Sequence, residues 1–115
     1  MATEAEVRKR VRYWAPRLGL KDWTLYVTFV EEGSKASCTA QPEYLEAILN
    51  FDLKKIADDD VDAFVVHELV HNLVWALANC ANALARGDKA QEEWVRTCEE
   101  ELVTRLERLI VGMDK

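Results

Sequence analysis

The sequence predicts an α+β domain: an N-terminal helix, a three-stranded sheet, a long helix carrying the most informative motif, and a C-terminal helix. Three observations predict it. Apolar residues recur at helical spacing near both ends of the chain, they alternate with polar ones at strand spacing between about 23 and 51, and 115 residues suffice for one core but not two. Helices and strands fall in separate stretches instead of alternating, which is the order of an α+β layer structure.

Thr3 followed by Glu6 is a capping-box pattern, and Val7, Val11, Trp14 and Leu18 then share one helical face until Gly19 offers a left-handed stop. Trp23, Leu25, Val27 and Phe29 alternate with Thr24, Tyr26 and Thr28, giving a strand that Glu31-Glu32-Gly33-Ser34 breaks. Segments 36–40 and 45–53 are two further strands, joined through Gln41-Pro42-Glu43-Tyr44 as a hairpin. The acidic run Asp58-Asp59-Asp60 suits the positive end of a helix that continues to about Arg86 and stops at Gly87. Asp88 with Gln91 repeats the capping-box spacing and opens the last helix, so the two C-terminal helices form an αα-hairpin.

Half of the residues are hydrophobic and 31% are charged, the balance of a folded protein. The net charge of -6 argues against nucleic acid, whose binding needs clustered Lys and Arg. The acidic start of the chain does not read as a signal peptide, and the apolar stretch 64–85 is interrupted by His67, Glu68, His71 and three asparagines, so neither secretion nor a membrane span is expected. Cys38, Cys80 and Cys98 are an odd number without paired spacing, which points to a reducing compartment, the cytoplasm, and to small buried side chains instead of a zinc finger. Trp14, Trp23, Trp75 and Trp94 are expected in the core.

The segment His67-Glu68-Leu69-Val70-His71 carries the chemistry. Histidines four apart on a helix differ by roughly 40° around the axis and one turn along it, so both imidazoles can meet at one zinc ion. Glu68, roughly 100° from His67, stands beside that ion as a general base for a water whose pKa the metal lowers. Val66, Leu69, Leu73, Leu77 and Leu84 cover one side of the helix while Phe64, Val74 and Ala78 flank the histidine side, so it is apolar nearly all round and hence central, and buried imidazoles need polar partners. A catalytic zinc takes three protein ligands, and the last helix offers Glu99, Glu100 and Glu101. With Val95, Leu102, Leu106 and Leu109 on the core side, Glu99 faces inward and is the preferred ligand, Glu100 being the choice if the helix is slightly rotated. The opposing interpretation makes the three acids a solvated face. Tyr44 is the one hydroxyl noted as an oxyanion stabiliser.

These residues resemble the active-site helix of the zincin metallopeptidases. The metzincin branch would require glycine and histidine where Val74 and Leu77 stand, so it is excluded. A glutamate on the following helix is similar to the gluzincin arrangement. The small size, 99–106 and the run 47–52 resemble the minimal gluzincins (minigluzincins) encoded by phages and prophages, which implies a host cytoplasm. The resemblance implies a zinc-dependent peptidase or amidase with His67, His71 and Glu99 as ligands and Glu68 as base. It also implies that the strand before the motif helix, 45–51, is a sheet edge pairing with an extended peptide or protein substrate. Larger gluzincins carry an acid four residues after the third ligand, where this chain has Val103. They also use a second domain to build the cleft. That difference motivates an alternative: a catalytically idle zinc-binding module acting through protein contact.

Overall fold

A computed structural model describes residues 2–31, 36–41 and 44–113. Helix α1 (Glu4–Arg17) leads into strands β1 (Thr24–Phe29), β2 (Ala36–Gln41) and β3 (Glu46–Phe51); two short 3-10 turns follow, then α2 (Val61–Ala85) and α3 (Lys89–Met113). The α+β order expected from the sequence is the one observed. The breaks expected at 32–34 and 42–43 lie outside the described residues.

Local signals account for the helix ends. The Thr3 hydroxyl caps α1 by accepting from the Glu6 amide at 3.2 Å, and it donates to the Glu6 carboxylate at 3.0 Å, so Glu6 meets the Thr3 side chain and not its backbone N–H. Gly19 and Gly87 stand at φ +77° and +89°, the left-handed conformation that ends a helix without a Cβ penalty. At α3 the Gln91 amide donates to Asp88 at 3.2 Å, but the reciprocal acceptor is Glu92, which takes the Gly87 amide at 3.0 Å.

The sheet order is β1-β3-β2, with β3 parallel to β1 and antiparallel to β2. This corrects the expectation that 45–51 is a sheet edge: β3 is paired on both sides, and its alternate residues Ala47, Leu49 and Phe51 are all buried. The edges are β1 and β2. One sheet face receives the helices. The opposite face carries Thr28, Asn50 and Ser37 in one cross-strand row, with Thr28 donating to Asn50 and Asn50 donating to Ser37.

The core joins Val7, Val11 and Trp14 of α1, Leu49 and Phe51 of β3, Val65, Val66, Leu69 and Val70 of α2, and Val103 of α3. Asp62, in the first turn of α2, receives the Trp14 indole N–H at 2.9 Å and the Arg10 guanidinium, locking α1 across the base of α2. Two further expectations are corrected. The second half of α2 is not central, since Leu73, Leu77 and Leu84 are 47%, 70% and 84% exposed, and α2 turns by 65° between Trp75 and Leu77. The inward face of α3 is rotated by about one residue: Val103 is fully buried, while Leu102 and Leu109 are exposed. Trp94 and the thiols of Cys80 and Cys98 are exposed as well. No single helix among the described residues is long and apolar enough to cross a membrane.

Leu49 is fully buried at the centre of the sheet. Leu49→Ala is expected to lower unfolding stability by about 2–5 kcal/mol through lost apolar burial and an unfilled cavity. Urea titration checks this, and a loss below about 1 kcal/mol would show that the site collapses around the smaller side chain.

Candidate metal centre

Packing the apolar residues of α2 against the sheet directs the remaining stripe of that helix, His67 and His71, at α3. The two rings are one turn apart with centroids 5.1 Å from each other and planes at 66°. Each Nε2 faces a different oxygen of Glu100, at 3.3 Å from His67 and 3.1 Å from His71. Each Nδ1 faces another α3 carboxylate: Glu99 lies 2.7 Å from His71, and Glu107 lies 3.7 Å from His67. The histidine side chains are 20% and 17% exposed, those of Glu99 and Glu107 25% and 15%, and that of Glu100 54%.

The electrostatics follow from the donor inventory. A neutral imidazole has one N–H and one lone pair. With the proton on Nδ1 towards Glu99 or Glu107, the Nε2 lone pair is aimed at a carboxylate oxygen of Glu100, an arrangement that needs a proton or a cation between the two acceptors. Among the described residues no Lys or Arg pairs with Glu99, Glu100 or Glu107. Three carboxylates around two imidazoles therefore form a site of negative potential.

The donor set fits zinc. His67, His71 and Glu100 each offer one ligand atom, and these atoms lie within 4.8 Å of one another. Tetrahedral ligands at roughly 2.0–2.1 Å from a zinc ion are about 3.4 Å apart, close to the nitrogen-to-oxygen spacings found here. Of the two acids left open by the sequence, Glu100 reaches the side on which the Nε2 atoms meet, while Glu99 reaches the back of the His71 ring. The one-residue rotation of α3 that buries Val103 is the physical reason.

Glu68 stands on α2 roughly 100° around the axis from His67. Only 5% exposed, it lines an open cleft of about 450 Å³ together with Phe64, His67, Glu107 and Ala36 of β2. One turn later Asn72, 6% exposed, accepts the Cys38 thiol at 3.2 Å through its Oδ1, while its buried Nδ2 has no hydrogen-bond partner among the described residues. Burial first, and the nearby Glu68 charge second, push the Cys38 thiol from 9.0 up to about 12. Tyr44 is 70% exposed and is not among the residues lining this cleft.

Glu107, Asn72 and Cys38 were not singled out for this site from the sequence. Glu107 had a usable signal: eight residues after Glu99 it falls within roughly 80° of it on the same helix side, so the inward-acid argument applied to both. Cys38 had none, since its strand register follows from the pairing of β2 with β3.

No family model matches this chain, and neither a curated protein nor a solved structure matches it.

The raised Cys38 pKa has a testable sign. A thiol whose folded pKa lies above its unfolded value stabilises the fold fully below about pH 9 and loses that contribution as pH rises towards about 12. The fall in unfolding free energy between pH 8 and 11 should therefore be smaller in Cys38→Ala than in the wild type, as denaturant titration at both pH values measures. In the native protein at pH 8, Ellman's reagent should titrate the two exposed thiols and reach Cys38 only after denaturation.

Proposed function

We propose that this protein is a zinc-dependent metallopeptidase of the small gluzincin type, hydrolysing a peptide or amide bond. The observation carrying the proposal is that both imidazole Nε2 atoms face one carboxylate, that of Glu100, at 3.3 and 3.1 Å, while each Nδ1 faces a further acid. His67, His71 and Glu100 would hold the ion. Glu99 would accept the His71 Nδ1 proton, fixing that ring's orientation and tautomer and raising its basicity, and Glu107, 3.7 Å from His67 Nδ1, would act on that ring through its nearby charge. With Glu100 as the third ligand, the position four residues on is Thr104, which is no more an acid than Val103. When bound, zinc supplies a Lewis acid and a lowered water pKa.

The chain's own part in the reaction is proton handling and substrate placement. Glu68 stands at the cleft wall next to His67, where its carboxylate takes the proton from the attacking water and returns it to the leaving nitrogen. The strand at the cleft is β2, through Ala36, and one side of β2 has no strand partner among the described residues. An extended substrate would add to that free side. Three free thiols suit a reducing compartment such as the cytoplasm.

Elemental analysis of the purified protein should find about one zinc per chain, and Glu68→Gln should keep the metal while turnover on a peptide library falls by roughly 10²–10⁴-fold. Unchanged turnover in that variant would refute the mechanism. Full zinc with no cleavage by the wild type would favour the idle zinc-binding module. Glu100→Gln should weaken zinc binding more than Glu99→Gln or Glu107→Gln, for which losses of about 10–100-fold are expected of orienting partners. The reverse order would make Glu99 the ligand.

A further inference from the structure

A second concave site lies away from the histidines, between α1 and the free edge of β1. Its volume of about 550 Å³ exceeds that of the cleft beside Glu68. The groove exists because α1 packs chiefly on α2 and leaves β1 largely uncovered. Val11, Trp23, Leu25 and Val27 form its apolar floor. Arg8, Arg12 and Lys21 form its rim, all three exposed.

Two features of this groove point to one kind of occupant. The first is backbone. The Thr24 and Val30 amides donate to β3 at 2.8 and 3.0 Å, so the alternating pattern of a strand turns the N–H and C=O of Leu25, Val27 and Phe29 to the unpaired side. The second is charge. Within a chain of net charge -6, α1 carries Arg8, Lys9, Arg10, Arg12 and Arg17 against Glu4 and Glu6. Arg10 is held by Asp62 and Arg17 bonds the Tyr13 carbonyl, but no carboxylate pairs with Arg8, Arg12 or Lys21 among the described residues. Arg8 is instead stacked over the Phe29 ring at 5.1 Å, which keeps its guanidinium at one end of the open strand.

We infer that this groove binds an extended acidic peptide segment, which adds to the edge of β1 as a fourth strand. Alternate side chains of such a segment turn towards the apolar floor, and acidic neighbours reach Arg12 and Lys21. Main-chain bonds to Leu25, Val27 and Phe29 supply affinity without regard to sequence, and the rim supplies selectivity for acidic partners. The site is separate from the histidines and owes nothing to the metallopeptidase proposal.

The test uses the full chain and a fluorescein-labelled eight-residue peptide alternating glutamate and valine, followed by anisotropy at low salt. Binding is expected, with a drop of at least about tenfold in the double variant Arg12→Glu/Lys21→Glu and a decline as salt rises. A peptide with lysine in place of glutamate should not bind, and N-methylation of alternate amides should abolish binding in one of the two registers. Glu68→Gln should bind as the wild type does. If the charge-reversed pair does not fold, Arg12→Gln/Lys21→Gln replaces it and should weaken binding in the same direction. Equal affinity in the charge variants, equal affinity for the lysine peptide, or tolerance of N-methylation in both registers would overturn the proposal. So would sedimentation showing that a second copy of this chain fills the groove.

Discussion

The imidazoles of His67 and His71 and the carboxylates of α3 constrain one another, and the rest of the molecule is arranged so that they meet. Two neutral rings can turn only two N–H groups towards acids. Here three acids surround them, with Glu100 facing the Nε2 of both rings. Protons or a cation would balance such a cluster, and among the described residues no Lys or Arg pairs with these acids, which is the charge pattern the proposed zinc ion would satisfy. Helix α3 must therefore run alongside α2 at a register that brings Glu99, Glu100 and Glu107 to the rings. The burial of Val103 between them sets that register.

The apolar packing performs the complementary task. Val65, Val66, Leu69 and Val70 are fully buried and claim the sides of α2 facing the sheet and α1. What remains of the helix surface is divided between the histidine stripe and the stripe of Glu68 and Asn72, which looks towards β2. Glu68 and the imidazoles thus reach different walls of one helix, with His67 common to both the candidate metal centre and the cleft. Cys38 fills the space under Asn72 as a neutral thiol, adding no charge beside the Glu68 carboxylate.

Charge is segregated along the chain. Acids gather on α3 at Glu99, Glu100 and Glu107 and bases on α1, and the two edges of the sheet, β2 and β1, border the two sites. A small sheet has two edges to protect. In this chain β2 borders the cleft of Glu68 and β1 borders the basic groove, so both edges adjoin concave surfaces suited to extended chains.

Much of this was legible from local pattern. Thr3 with Glu6, Gly19, Gly87 and Asp88 marked helix ends because capping chemistry acts within four residues, and the His67, Glu68, His71 spacing carried its geometry because helical periodicity is fixed. Strand order was not legible: that β3 is central depends on which neighbours pair with it, a non-local choice, and so the edge expected at 45–51 moved to β2. The rotation of α3 likewise rests on whether Val103 or Leu102 fills the space beside α2, a packing decision that one residue of helical phase reverses. The sequence by itself determined that two imidazoles would stand one turn apart near inward acids. Only the tertiary structure decided which acid faces which nitrogen, because a rotation of roughly 100° per residue separates Glu99 from Glu100 and only contacts across the αα-hairpin choose between them.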